Sequence, residues 1–254
     1  MLTRFFFFPF LLLSSCILFL SSCGEIKNDT YEIALDPFWA SSEFKDKDNN
    51  VLGFSTELLR MISRDEKMSF SLLSTNWDSL FPGLDANLYQ AILSSLYPYN
   101  FNLQRYDFSK LYLPTGPVLI LPVSSPYHSL NEINGKQVAV LENSPAVLLL
   151  ENYPKISIST CGSVADIINK LQSGQVVGAL LPLLTARGYT RGAFKTQFTI
   201  ASPPLNDEGL RLITKKNAKP LLIKKFNKGL DNMKKDGRYE SLLAEWDLNL
   251  PPPS

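Results

Sequence analysis

Histidine is almost missing from this sequence: His128 is the only one in 254 residues. That argues against a histidine-built metal centre and against a histidine-dependent nucleophilic triad. Cysteine is nearly as scarce, with Cys16, Cys23 and Cys161. Charge of one sign has no real excess either: 25 basic and 24 acidic residues leave a formal +1. Such a balance lacks the basic face of a nucleic-acid binder, and no nucleic-acid partner is expected. A phosphate-cradling glycine loop is absent, because Gly174-Gln175-Val176-Val177-Gly178 is too loose a pattern to count. No internal repeat is visible. What remains is an ordinary globular composition, 45% apolar and 19% charged. It suffices for a sizeable core in one large domain or two lobes of roughly 100 residues each.

The amino terminus decides the compartment. Arg4 precedes an apolar run, Phe5 to Cys23, which has the form of a secretory signal. Leu20-Ser21-Ser22-Cys23 resembles the bacterial lipobox, whose cysteine is acylated and becomes the new terminus. Leu13-Ser14-Ser15-Cys16 has the same form, but cleavage there would leave apolar Ile17-Leu18-Phe19-Leu20 after the lipid. Cys23 is followed instead by polar residues from Gly24 to Thr30. Cys23 is therefore the expected lipidation site, with 1–22 as signal peptide and 23–30 as linker. An uncleaved membrane anchor is the alternative. Either way the domain is exported and tethered. Loss of the leader removes Arg4 alone among charged residues and leaves the two signs equal. Cys161 then has no partner for an internal disulfide, so the fold must rely on its core.

Along the rest of the chain, strand and helix patterns alternate. Tyr31–Leu35 reads as a strand, and Asp48-Asn49-Asn50 as a turn. Ser55 is placed to cap a helix carrying Leu58, Leu59, Met61 and Ile62. Phe70–Ser74 is strand-like, a short helix follows that Pro82 and Gly83 crowd, and Gln90–Leu96 is an apolar strand. Gly116–Val123 is another strand, after which the pattern restarts. Gln137–Leu141 is a buried-type strand, and Ser144-Pro145 opens a helix. Ser163 and Asp166 suggest a capping box on a helix that ends at Gly174. Gly209–Lys215 is a strand before a long helix with Phe226, Leu230 and Met233 on one side. Gly237 stops that helix, and a last one runs through Tyr239 and Trp246. This alternation predicts an α/β fold with mostly parallel sheets flanked by helices.

The segments Asp36–Leu59, Asn76–Leu84, Ala91–Leu96, Tyr106–Tyr112, Leu130–Ala146 and Leu212–Trp246 together resemble the bacterial solute-binding proteins of the polar amino-acid uptake family. The likeness runs from about Tyr31 to Leu248. It implies the type II periplasmic-binding fold: lobe 1 from 31–119 plus 208–250, lobe 2 from 122–204, a ligand cleft between them, and a tail at 251–254. It further implies a monomer without a cofactor or catalytic activity, which hands a small solute to an ABC permease in the membrane.

The resemblance also marks site positions. Trp39 stands where the family stacks an aromatic ring on the ligand, and Ser94 and Ser95 where it places strand-end hydroxyls. The family's carboxylate-clamping arginine aligns with Asn102, and the threonine beside it with Tyr99. The opening of the second-lobe helix is Asn143-Ser144-Pro145, and the ammonium-binding aspartate aligns with Pro182. Arg105, three positions beyond Asn102, is the nearby candidate to replace the missing arginine, and Arg187 and Glu142 are the charged candidates to reach the cleft from lobe 2. The implied lining is uncharged but aromatic and hydroxyl-rich: Trp39, Ser94, Ser95, Tyr97, Tyr99, Asn102, Asn143 and Ser144. Loss of both charged handles would weaken zwitterion binding by roughly a hundred- to ten-thousandfold. The expected ligand is accordingly an amino acid or related solute, neutral and peptide-like solutes included. The alternative is a binding, adhesion or sensory lipoprotein that kept the fold without transport. Trp39→Ala tests the stacking position: a loss of about two- to tenfold in solute affinity by titration calorimetry is expected, and an unchanged dissociation constant would remove the assignment.

Overall fold

The computed structural model describes residues 30–36 and 48–249. Trp39, Cys16 and Cys23 lie outside the described residues. The first part of the chain builds β1 (Thr30–Leu35), α1 (Asp48–Glu66), β2 (Ser69–Ser74), α2 (Trp77–Asp85), β3 (Ala91–Ser94), α3 (Asn100–Leu103), β4 (Tyr106–Phe108) and β5 (Leu113–Pro114). The second part builds β6 (Pro117–Pro122), β7 (Gln137–Leu141), α4 (Pro145–Leu150), β8 (Ser157–Cys161), α5 (Val164–Gln172), β9 (Gly178–Pro182), α6 (Leu183–Arg191) and β10 (Phe198–Ile200). The chain then returns with β11 (Gly209–Lys215), α7 (Pro220–Lys235) and α8 (Arg238–Glu245).

Local sequence accounts for most of these boundaries. Asn76 caps α2 by accepting the Ser79 N–H at 2.9 Å. Ser144 caps α4 at the Ala146 N–H, with Pro145 at the first helical position. The Ser163 hydroxyl accepts from Asp166 N–H and donates to the Asp166 carboxylate. The expectation fails at α1. The helix starts at Asp48, so Asp48–Asn50 is not a turn, and Ser55 lies inside the helix rather than at its cap. Val51 and Phe54 continue the apolar stripe of Leu58 and Ile62 toward the amino end, and all four are buried. Ser55 is buried with them, its Oγ 3.1 Å from the Tyr112 hydroxyl.

Two sheets result. The first has the order β2-β1-β3-β11-β4, with β5 also on β11; the second has the order β10-β6-β9-β7-β8. Each is built on a parallel trio, β2-β1-β3 and β9-β7-β8. Antiparallel strands join where the chain crosses between sheets. Residues alternate between the two faces. In the first sheet Ile33, Leu93 and Leu212 pack under α1, α7 and α8, whereas Ala34, Ile92 and Ile213 pack under α2. In the second, Val118 and Ile120 face α5 and α6, and Leu119 and Leu121 face α4.

The chain leaves the first sheet at Pro114 and enters the second at Pro117, with only Thr115 and Gly116 between. Pro114 is paired with Gly209, and Pro117 with Pro182. The return segment lies alongside. The Glu208 carbonyl accepts from Thr115 N–H and Gly116 N–H at 3.0 and 3.1 Å, and the Pro117 carbonyl from Leu205 N–H at 2.8 Å. This double connection therefore sits at the carboxyl ends of the parallel strands of both sheets, where open α/β sheets place their ligand crevices. Helix α6 braces it: Leu183 N–H points at the Thr115 and Gly116 carbonyls, and Leu184 packs on the core of the first sheet. The Arg187 and Arg191 guanidinium groups each reach the Asp247 carbonyl at 3.3 Å.

Gly209 is required at this junction. Its φ is +152°, and a Cβ there would lie 2.2 Å from the Leu113 carbonyl oxygen. Neither backbone nor strand pairing can yield without breaking the connection. Gly209→Ala is expected to cost about 2–4 kcal/mol of unfolding free energy in urea; a cost within experimental error would contradict the close approach.

Candidate functional site

The first sheet changes character at its carboxyl edge. Ala34, Ile92 and Ile213 form a buried apolar row across β1, β3 and β11. Two residues further along each strand toward that edge, the same face carries Asp36, Ser94 and Arg211, all buried. Arg211 is paired directly with Ser94. The Ser94 hydroxyl donates to Asp36 Oδ2 at 2.6 Å and accepts from Leu96 N–H at 3.2 Å. Asp36 N–H donates to the Leu93 carbonyl, which keeps β1 and β3 in register to the edge.

Arg211 turns toward the return segment. Its Nη2 lies 2.8 Å from the Asp207 carbonyl oxygen and 3.1 Å from Asp207 Oδ2, and its Nη1 lies 3.5 Å from the Gly209 carbonyl. The other carboxylate oxygen, Oδ1, accepts from the Tyr97 hydroxyl at 2.6 Å. The Arg211 side chain is 6% exposed and that of Asp207 61% exposed. A buried guanidinium is costly unless it is paired and hydrogen-bonded, and Asp207 with the two carbonyls meets that need. Burial pushes the Arg211 pKa down, with the Asp207 charge and Tyr97 opposing it. The hydrogen bond to Asp207 pushes the Tyr97 phenol up.

The segment after β3 carries the aromatic groups. Tyr97 and Tyr99 have ring centroids 4.6 Å apart, and Tyr99 stacks on Phe101 at 5.5 Å. Tyr99 and Phe101 are exposed, as is Ser95. Asn102 is buried, and its amide donates to the Tyr97 carbonyl at 2.8 Å. It braces the loop that presents Tyr97. Arg105 is far from this edge. It precedes β4 at the opposite end of β11 and pairs with Asp85 at 2.6 Å. Trp77, at the start of α2, is partly exposed, with Phe81 edge-on to it at 5.6 Å.

The second sheet contributes less polarity. Asn143 adopts φ +58° and is exposed. Ser144 spends its hydroxyl on Ala146 N–H and its carbonyl on Val147 N–H, and Pro145 has no N–H. Pro182 is exposed at the start of α6. Arg187 is buried behind the connection, and burial takes its pKa down to about 10.

The edge is thus not uncharged, as the lining read from the sequence implied. Asp36, Asp207 and Arg211 converge on it. An arginine between Leu210 and Leu212 in the strand Gly209–Lys215 was the available signal, because a charge in a buried strand needs a partner or a task. Only the antiparallel pairing of β11 with β3 brings it beside Ser94. Ser94→Ala should remove a buried bond to a carboxylate. The expected loss is about 1.5–3 kcal/mol in urea unfolding; a change below about 0.5 kcal/mol would mean the bond is not formed in solution.

The family description "bacterial extracellular solute-binding proteins, family 3" matches residues 31–249. The chain is 24% identical over 247 residues to the arginine-binding extracellular protein ArtP of Bacillus subtilis, covering 93% of this chain and 96% of that protein. It is 25% identical over 255 residues to a probable histidine-binding protein of Campylobacter jejuni, covering 91% and 94%. Among solved structures, the L-cystine solute receptor of Neisseria gonorrhoeae in its unliganded open conformation superposes with a TM-score of 0.71 at 18% identity, covering 88% of this chain and 94% of that one. That superposition carries the two-lobed fold. With the family match spanning nearly all of the described residues, the chain belongs to the bacterial extracellular solute-binding proteins of family 3.

Proposed function

We propose that this protein is the lipid-anchored, extracytoplasmic receptor of an ABC importer, and that it binds an amino acid or a closely related small solute between two lobes. Lobe 1 would comprise 31–119 with 208–250, lobe 2 would comprise 122–204, and Cys23 would carry the lipid. The observation that carries the reading is the polar row Asp36, Ser94 and Arg211 at the carboxyl edge of the first sheet, beside the double connection. A solute that touches both edges favours the closed arrangement over the open one, so binding shifts the population toward closure. The permease would read the closed form as loaded. The arginine, histidine and cystine named for its relatives support an amino-acid ligand. Tyr97, Tyr99, Trp39 and Trp77 would supply flat apolar surface for its side chain, and Ser95, Asn143, Ser144 and Pro182 would edge the cleft.

The test is a thermal-shift screen of the purified chain against the twenty amino acids, cystine and short peptides. A solute at a hundred times its dissociation constant should add about 2.7 kcal/mol to stability. A clear rise in melting temperature with one of them is expected. No shift with any solute would contradict the receptor reading and favour a fold kept for adhesion or sensing.

A further inference from the structure

The Asp207 carboxylate is held by groups that do not belong to its own segment of exposed chain. One oxygen is met by a buried guanidinium rooted in β11, the other by a phenol rooted in the loop after β3. The seat is rigid: Arg211 is locked by backbone pairing to Ser94 and by two carbonyls, and Tyr97 by Asn102 and its ring contact with Tyr99. Its occupant is not, since the Asp207 side chain is largely solvent-exposed on the return segment between the lobes. One N–H donor on one oxygen and one O–H donor on the other make a two-point carboxylate receptor, and because the guanidinium is buried, the exposed Asp207 carboxylate can leave it only in exchange for another anion.

We propose that Arg211 and Tyr97 form the seat for a carboxylate of the transported solute, and that Asp207 occupies this seat as an internal stand-in until the solute displaces it. The inference rests on the receptor reading above and narrows its ligand to solutes bearing a free carboxylate. It also gives Asn102 its place: the aligned position braces the loop, and the cation is supplied from the opposite strand. Displacement acts one residue before Glu208, whose carbonyl holds Thr115 and Gly116. Binding at the seat thereby reaches the connection about which the lobes turn.

The experiment is calorimetry on the full chain in detergent, with each amino acid paired with its carboxamide. The free acid should bind at least about tenfold more tightly than the amide, since the lost contact is a charge-assisted one. Arg211→Gln should weaken acid binding about ten- to hundredfold and bring acid and amide together. Tyr97→Phe, on a half-exposed loop residue, should narrow the gap about three- to tenfold without loss of the melting transition. It covers the case in which Arg211→Gln does not fold. Asp207→Asn should tighten acid binding about two- to fivefold by removing the competitor. Equal binding of acid and amide by the unaltered protein would overturn the seat while leaving the receptor reading intact. Full discrimination retained in Tyr97→Phe and Arg211→Gln would do the same. No binding of any acid or amide would overturn both.

Discussion

Everything functional in this molecule depends on one constraint: two chain segments pass between the sheets side by side and bond to each other. Thr115 and Gly116 donate to Glu208, Leu205 donates to Pro117, and Gly209 is pressed against Leu113. These contacts fix where β11 starts relative to β3 and where β6 starts relative to β9. They consequently bring the carboxyl edges of both parallel trios to the same place. A cleft at that place follows from topology before any side chain is considered.

The side chains at the edge then divide the labour. Behind it, Ala34, Ile92 and Ile213 supply the burial that stabilises the sheet. At it, Asp36, Ser94 and Arg211 carry polarity that burial alone would penalise by several kcal/mol per ion. That penalty is offset by short bonds to Ser94, Asp207 and backbone carbonyls. At the edge of the second sheet stand the exposed Glu142 after β7, the serine that caps α4, and two prolines. Under the proposed function, recognition would be weighted to the first lobe, and the second lobe, braced by α6, would close over it.

Much of the fold was legible in the sequence because it depends on local rules. The Ser-Pro start of α4, the Ser163–Asp166 cap of α5 and the left-handed Gly237 between α7 and α8 each declare a boundary. The start of α1 was misread because Asp48-Asn49-Asn50 carries turn residues while Val51 and Phe54 extend a helical stripe, and burial of that stripe wins. The site was legible only in part. Ser94 ends β3 and Tyr97 lies three residues on, so both could be placed at the edge by position in the chain. Arg211 could not, because no short-range pattern records which strand it will lie against. Asn102 was visible as a missing charge, but its amide bond to the Tyr97 carbonyl is a tertiary fact.

The central claim is that a small solute holds the two lobes together at the edge beside the connection. Small-angle X-ray scattering of the protein, with and without an amino acid that raises its melting temperature, tests this most directly. The account predicts a fall in the radius of gyration that saturates with the solute. An unchanged radius at saturation, with the solute demonstrably bound, would contradict it.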